Sequence, residues 1–233
     1  MYERFYELRE RPFSGRPDQE YLYPSRAHTE ALATVRHGLE HRAGIVVVSG
    51  ESGTGKTTLL ETLFRALDRQ TGVGRATKAG PNTNGLLVID DAQKLTVTAL
   101  EELGQLTERE TRNARPLQMV LVGQPGLEES LAAPELQQLR QRVGGHHRLR
   151  PLDADETEAY VNHRLRQAAL GTPVEFPRGV TDAIHSYSRG IPRAVNVTCD
   201  AILVYGFAEQ QRLIDDSLAR QAVGELALAA RPV

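Results

Sequence analysis

Eight consecutive residues, Gly50-Glu51-Ser52-Gly53-Thr54-Gly55-Lys56-Thr57, occupy every fixed position of the phosphate-binding pattern G-x-x-x-x-G-K-[ST]. Glycines at this spacing let a loop turn consecutive backbone N–H groups onto phosphate oxygens, and a helix starting at the loop's end adds partial positive charge at the same spot. Lys56 is then the residue to neutralise phosphate oxygens, and the Thr57 hydroxyl is a ligand for Mg²⁺. Glu51, Ser52, Thr54 and Thr58 complete the expected nucleotide contacts. Further along, Leu86-Leu87-Val88-Ile89-Asp90-Asp91-Ala92-Gln93 closes an apolar run on two carboxylates. Asp90, at the end of such a strand, can reach Mg²⁺, and Asp91 can orient or activate an attacking water.

These groups need rigid elements to hold them. Gly44-Ile45-Val46-Val47-Val48-Ser49 is a β-branched run suited to a buried parallel strand, and residues 58 to 67 repeat apolar side chains at helical spacing. Strand, glycine loop, helix is the context the phosphate loop requires. A helix is predicted before it, from about Ala27 to His41, with Ala31, Val35 and Leu39 on its apolar face. Residues 71 to 85 hold four glycines and a proline without apolar period, which is loop composition. A polar helix is expected over 96–112, burying Leu100, Leu103 and Leu106. Leu117 to Pro125 reads as another central strand with a polar residue at its tip, so that Gln124 could face the γ-phosphate. A short helix over 134–143 carries Arg140 and Arg142, and His146 to Arg150 forms the last strand. The adjacent His146 and His147 lack further Cys or His neighbours to complete a metal site.

From Pro151 onward the pattern is helical. Asp153-Ala154-Asp155-Glu156 resembles a capping box, Pro192 takes the favoured first position of a helix, and Gly171 and Gly190 end others. An α/β core over 1–150 followed by a small helical domain over 151–233 is therefore expected. The opening 26 residues are rich in aromatic side chains that must pack on something. Lying just ahead of the first strand, they could place Phe13 or Tyr23 beside the nucleotide base, or simply cover the sheet edge. The composition is that of a globular protein, 40% hydrophobic and 25% charged, and the formal net charge of -2 makes no general electrostatic case for nucleic acid. The single cysteine, Cys199, lies among apolar neighbours and reads as a buried thiol. With no disulfide framework, no signal-like N-terminus and no apolar run of membrane-spanning length, the expectation is a cytoplasmic chain.

Taken together, these motifs resemble the AAA+ ATPase domain of the general secretion pathway protein A family, a group similar to the ATPases that regulate transposition. The resemblance is carried by Tyr2 to Tyr23 with Pro12-Phe13 and Leu22-Tyr23, the phosphate loop, Ile89-Asp90-Asp91-Ala92-Gln93, Leu121-Val122-Gly123-Gln124-Pro125, Leu136 to Arg142, and Ser188-Arg189-Gly190-Ile191-Pro192-Arg193. It implies a three-layer P-loop core on a parallel sheet with a small all-α lid, binding ATP and Mg²⁺. It also implies a subunit of a ring or helical homo-oligomer, with Gln124 at the sensor 1 position and Arg193 at the lid's sensor 2 position. Arg140 or Arg142 falls where such proteins place an arginine finger, which acts on a neighbour's nucleotide and is worth roughly 10³ to 10⁵ in rate. Read without the resemblance, both arginines would be a solvated helix face or salt-bridge partners.

Two departures from the family pattern stand out. The family usually has Glu where this chain has Asp91, and a carboxylate set back by about 1 Å can cost on the order of 10²-fold, so slow hydrolysis is expected. Relatives also carry an additional strand and helix where this chain has only residues 71 to 85. In the family's strand order 5-1-4-3-2 the missing strand is an edge, so its loss would make Leu86 to Ile89 the new edge; residues 72 to 79 as a remnant of that strand is the alternative. Three functions follow: an ATPase that changes the conformation of a secretion, pilus or envelope assembly, an ATP-binding switch with little turnover, or a DNA-associated transposition-type regulator. The last draws on Arg140, Arg142, Arg148 and Arg150.

Overall fold

Ile45-Val46-Val47-Val48 has no polar face, so the strand it forms must be covered on both sides. The computed structural model describes residues 1–15, 20–71, 85–112 and 117–229. In chain order, α1 (Tyr2–Phe5) and α2 (Arg26–Glu40) precede that strand, β1 (Ile45–Gly50), which leads into α3 (Lys56–Thr71). Next come β2 (Gly85–Ile89), a 3₁₀ turn at Ala92–Lys94, α4 (Val97–Arg112), β3 (Leu117–Gly123) and α5 (Gly126–Leu131). A second 3₁₀ turn, Pro134–Leu136, runs into α6 (Gln137–Gln141) and then β4 (Val143–Leu149). Four helices follow: α7 (Ala154–Ala168), α8 (Arg178–Ser188), α9 (Pro192–Ala208) and α10 (Asp216–Ala229). The contacts divide the chain into two units, Arg26–Arg150 and Met1–Ser25 together with Pro151–Val233.

In the α/β unit all strand pairs are parallel, in the order β2-β3-β1-β4. Val47 stands opposite Leu121 of β3 on one side and His146 of β4 on the other. Alternate side chains of β1 enter two different cores. Val46 and Val48 pack with Val120, Val122, and helix residues Ala31, Val35, Leu59 and Leu63. Ile45 and Val47 pack with Met119, Leu121, Leu100, Leu127 and Leu136. Each fully buried Val, Ile or Leu stabilises by roughly 1.5–3 kcal/mol, and this two-sided burial fixes the strand's register. Among the described residues β2 is an edge, as expected for Leu86 to Ile89. The expected loop at 71–85 lies outside the described residues from 72 to 84. Leu106 departs from expectation: it is 42% exposed, because Leu100 and Leu103 already fill the space under α4. β4 also starts earlier than expected and includes Gly144 and Gly145.

The helical unit corrects the expected division of the chain. Residues 1–25 do not belong to the phosphate-loop core; they pack into the helical core, where Tyr2, Tyr6, Phe13 and Tyr21 are buried with Leu165, Phe176, Ile184 and Ile202. Phe13, 4% exposed in that core, is therefore not available to a nucleotide base, and Tyr23 packs edge-on against Tyr160. The fastening is polar as well. Arg164 of α7 is buried, and its Nε donates to Pro12 O at 2.6 Å while Nη1 donates to Tyr160 Oη at 2.9 Å. Its guanidinium also lies 5.1 Å from the Tyr21 ring, within cation–π range. Tyr2 Oη donates to Asp200 Oδ1 of α9, and main-chain bonds tie Arg9 N to Ala168 O at 2.7 Å and Leu170 N to Glu7 O at 2.9 Å. Burial raises the Tyr2 hydroxyl pKa far above its ordinary value, and the Asp200 hydrogen bond adds to it.

Local signals in this unit have structural causes. Asp153 and Glu156 form the full capping box at the start of α7. Cys199 is buried, and burial pushes its thiol up. Gly190 sits at φ +70°, and Leu152 N donates to its carbonyl at 2.9 Å. A Cβ there would lie 1.9 Å from Leu152 O, so the Arg189-Gly190-Ile191-Pro192 turn needs glycine for both conformation and space. Gly190→Ala is expected to destabilise the protein by roughly 1–3 kcal/mol or more, read as a lower midpoint in urea denaturation; a midpoint equal to wild type would contradict this packing.

Candidate active site

Because the strands are parallel, β1, β3 and β2 all end on the same edge of the sheet, and each tip carries polar residues. β1 leaves the sheet at Gly50 and the chain turns through Gly53 (φ +86°) and Gly55 (φ +96°) before α3 begins at Lys56. Only glycine enters these φ values without strain. Lys56 is 8% exposed, and its ammonium donates to Gly50 O and Glu51 O, both at 2.9 Å. Thr54, also buried, donates through Oγ1 to Glu51 O at 2.9 Å, which tightens the same turn. Glu51, Ser52 and Thr57 are exposed, while Thr58 is half-buried. On α2, His28 Nε2 lies 3.3 Å from Gly55 O, and it occupies the space that a Cβ on residue 55 would enter.

The second strand tip carries the acids. Asp90 is exposed, and the Asp91 main-chain N–H donates to its Oδ1 at 2.8 Å. Asp91 adopts a left-handed φ of +54° and starts the 3₁₀ turn at Ala92. Its Oδ2 accepts from Lys94 Nζ at 2.6 Å and its Oδ1 from Gln93 Nε2 at 3.2 Å. The Lys94 bond first, and the Gln93 bond next, hold the Asp91 carboxyl below the ordinary aspartate range; the same ion pair raises Lys94. At the third tip Gln124 is exposed, and its main-chain N–H donates to Gln93 Oε1 at 3.0 Å.

Behind the loop, Ser49 Oγ donates to Glu128 Oε1, and His146 Nε2 stands 3.4 Å from the same oxygen. The period-2 alternation of β4 sends His147 the other way, toward α2, where burial lowers its pKa. Arg142 is half-buried and donates through Nη1 to Gly104 O and Thr107 Oγ1, both at 3.1 Å. Arg140 is exposed and reaches back to Leu131 O at 3.3 Å and Ala132 O at 3.1 Å. Arg148 lies on β4 in register with Ser49, and Arg150 follows the strand; both are exposed. Arg193 is exposed in the first turn of α9, in the helical unit.

Two family models match the chain: an AAA ATPase domain over residues 25–85 and an AAA domain over residues 72–131. The chain is also 34% identical over 266 residues to general secretion pathway protein A of Aeromonas hydrophila, an alignment that takes in 96% of this chain. The chain belongs to the AAA ATPases. It spans 48% of that relative's length. The alignment is longer than the 233 residues of this ATPase domain, so it opens gaps on this chain's side. Solved structures share the fold. The ORC2 protein of Aeropyrum pernix superposes with a TM-score of 0.65 at 19% identity, covering 96% of this chain and 73% of that one. Cdc6p of Pyrobaculum aerophilum gives 0.67 at 14%, covering 95% and 74%. The RuvB Holliday junction branch migration motor of Thermotoga maritima gives 0.63 at 18%, covering 89% and 74%.

Within this AAA ATPase domain, the structure gathers Lys56, Thr57, Asp90, Asp91 and Gln124 on one edge of the sheet. Gln93, Lys94 and His28 are site neighbours to which sequence reasoning assigned no role. Gln93 and Lys94 sit inside the acidic motif, yet their partners depend on a 3₁₀ turn and on a strand tip 31 residues away. His28 meets the loop only because α2 packs beside it.

Proposed function

We propose that this domain binds ATP with Mg²⁺ and hydrolyses it, using nucleotide state to change the conformation of a partner assembly. The observation that carries the reading is the closed phosphate loop, with the buried Lys56 ammonium held by the carbonyls of Gly50 and Glu51. A Cβ on residue 50 would meet Thr54 Oγ1 at 2.8 Å and Leu149 O at 3.1 Å, so the tight turn into the loop has space only for glycine at its start. The Thr57 hydroxyl and the Asp90 carboxylate are hard oxygen donors suited to Mg²⁺. Among the described residues no group of three or more His, Cys, Asp or Glu forms a cage, so such an ion would draw its other ligands from phosphate and water. Bound there, Mg²⁺ would neutralise charge on the β- and γ-phosphate oxygens.

The chain's own residues supply the rest. Lys56 contributes positive charge beside the phosphates, and half-buried Asp91, ionised through neutral pH, serves to orient a water and accept its proton. Gln124 offers a polar side chain at the adjacent tip. For Arg193 we retain the role of a nucleotide sensor on the lid. Both arginines bond groups of their own chain, but Arg142 is half-buried against Gly104 and Thr107 whereas Arg140 is exposed, so Arg140 is the better arginine for a neighbouring copy's nucleotide in a homo-oligomer. The resemblance to general secretion pathway protein A favours a secretion or envelope assembly as partner and a cytoplasmic site of action. Among the described residues, no helix is long and apolar enough to cross a membrane.

A second reading, an ATP-gated switch with little turnover, is favoured by one observation: both carboxylate oxygens of Asp91 are already engaged, by Gln93 and Lys94. A DNA-associated role draws on the arginine cluster, of which Arg140, Arg148 and Arg150 are exposed and Arg142 is half-buried.

Lys56→Ala is expected to weaken ATP binding by about 10- to 100-fold or more, measured by calorimetry; unchanged affinity would sink the proposal at its first step. Asp91→Glu separates the two readings. A rise of roughly 10-fold or more in steady-state hydrolysis marks a catalytic carboxylate that stands too far back, and an unchanged rate argues against the role given to Asp91. For an arginine supplied by a neighbour, hydrolysis per chain should climb with protein concentration in wild type and stay flat in Arg140→Ala, whereas equal concentration dependence would remove Arg140 from the site.

A further inference from the structure

The carboxamide of Gln93 touches two groups on which the proposed chemistry depends. Oε1 accepts from the Gln124 main-chain N–H at 3.0 Å, and Nε2 donates to Asp91 Oδ1 at 3.2 Å. The bridge has room because residue 123 is glycine: a Cβ there would lie 2.8 Å from Gln93 Oε1. Asp91 itself stands at φ +54° on a half-buried turn, a conformation that a non-glycine residue holds only when its surroundings over-determine it. Lys94 takes the other oxygen, but that side chain is 70% exposed, so it is a loose tether. Gln93 is the half-buried member of the pair and is anchored to main chain.

We infer that Gln93 is a positioning residue: it fixes the Asp91 carboxylate against the tip of β3 and sets where that short side chain stands relative to the attacking water. The inference rests on the reading of Asp91 as the residue that orients and activates water. Polarity explains the choice of glutamine. An amide accepts from the N–H and donates to the carboxylate at once, whereas a carboxylate of the same shape can only accept. The bridge also joins the tips of two neighbouring strands, so a shift of Gln124 at one is carried to Asp91 at the other.

The test is Gln93→Glu, which keeps an acceptor for the Gln124 N–H and removes the donor to Asp91. Steady-state hydrolysis, equilibrium binding of a non-hydrolysable ATP analogue, and a ¹³C-carboxyl titration of Asp91 in the free protein are compared with wild type. Affinity is expected to stay within about twofold while kcat falls by roughly 10-fold or more, because only a transition-state contact is disturbed. Losing a donor and gaining a like charge both favour the neutral acid, so Asp91 should titrate at higher pH and the acid limb of the pH–rate profile should follow. A wild-type kcat with an unmoved Asp91 titration overturns the inference, as does a loss of kcat matched by loss of affinity and thermal stability, which marks a merely structural residue. If wild type itself hydrolyses no ATP, the ATPase reading fails by that result alone, while an Asp91 titration moved by Gln93→Glu still supports the bridge.

Discussion

Everything around the nucleotide site hangs on the burial of β1 from both sides. Val46 and Val48 are locked into one core and Ile45 and Val47 into the other, so the strand can shift neither along its axis nor about it. Its last residue, Gly50, is therefore a fixed point. Lys56, the first residue of α3, reaches back to Gly50 O and Glu51 O, and this contact closes the loop between strand and helix. A buried ammonium costs free energy unless it is hydrogen-bonded. The carbonyls of Gly50 and Glu51 contribute to meeting that need.

The same edge of the sheet shows a division of labour by solvent exposure. Lys56 is buried and held by main chain, which gives a rigid, invariant charge. Asp90 is exposed and Asp91 half-buried on a turn, where the orientation of Asp91 depends on side chains. The Asp91 carboxylate is held by Lys94 and Gln93, and both bonds favour its charged form. A carboxylate stabilised in that way is well placed but weakly basic.

The helical unit solves a different problem. Among its described residues the aromatic-rich segment over 1–25 has only the four-residue α1, and it gains stability by laying its rings into the core of α7, α8 and α9. Arg164 is the fastener: its guanidinium satisfies the Pro12 carbonyl while its faces meet Tyr21 and Tyr160. The chain's first residues are thereby tied to residues more than 150 positions later. Gly190, at the close approach to Leu152, permits the turn from which α9 starts.

The amino-acid sequence alone determined the parts of this protein whose chemistry is local. The phosphate loop, the strand before it, the acidic strand end and the capping box at Asp153 are each encoded within about a dozen residues, so spacing and residue type suffice to read them. The parallel core and the helical end were legible for the same reason. Only the tertiary structure decided matters that depend on contacts distant in sequence. It placed residues 1–25 in the helical unit, because aromatic rings specify burial but not which surface buries them. It exposed Leu106 and committed Arg142 to α4, since helical periodicity marks a face without saying how much of it the neighbours cover. It also joined Gln93 to Gln124 and Asp91, a bridge that exists because parallel pairing brings two strand tips side by side.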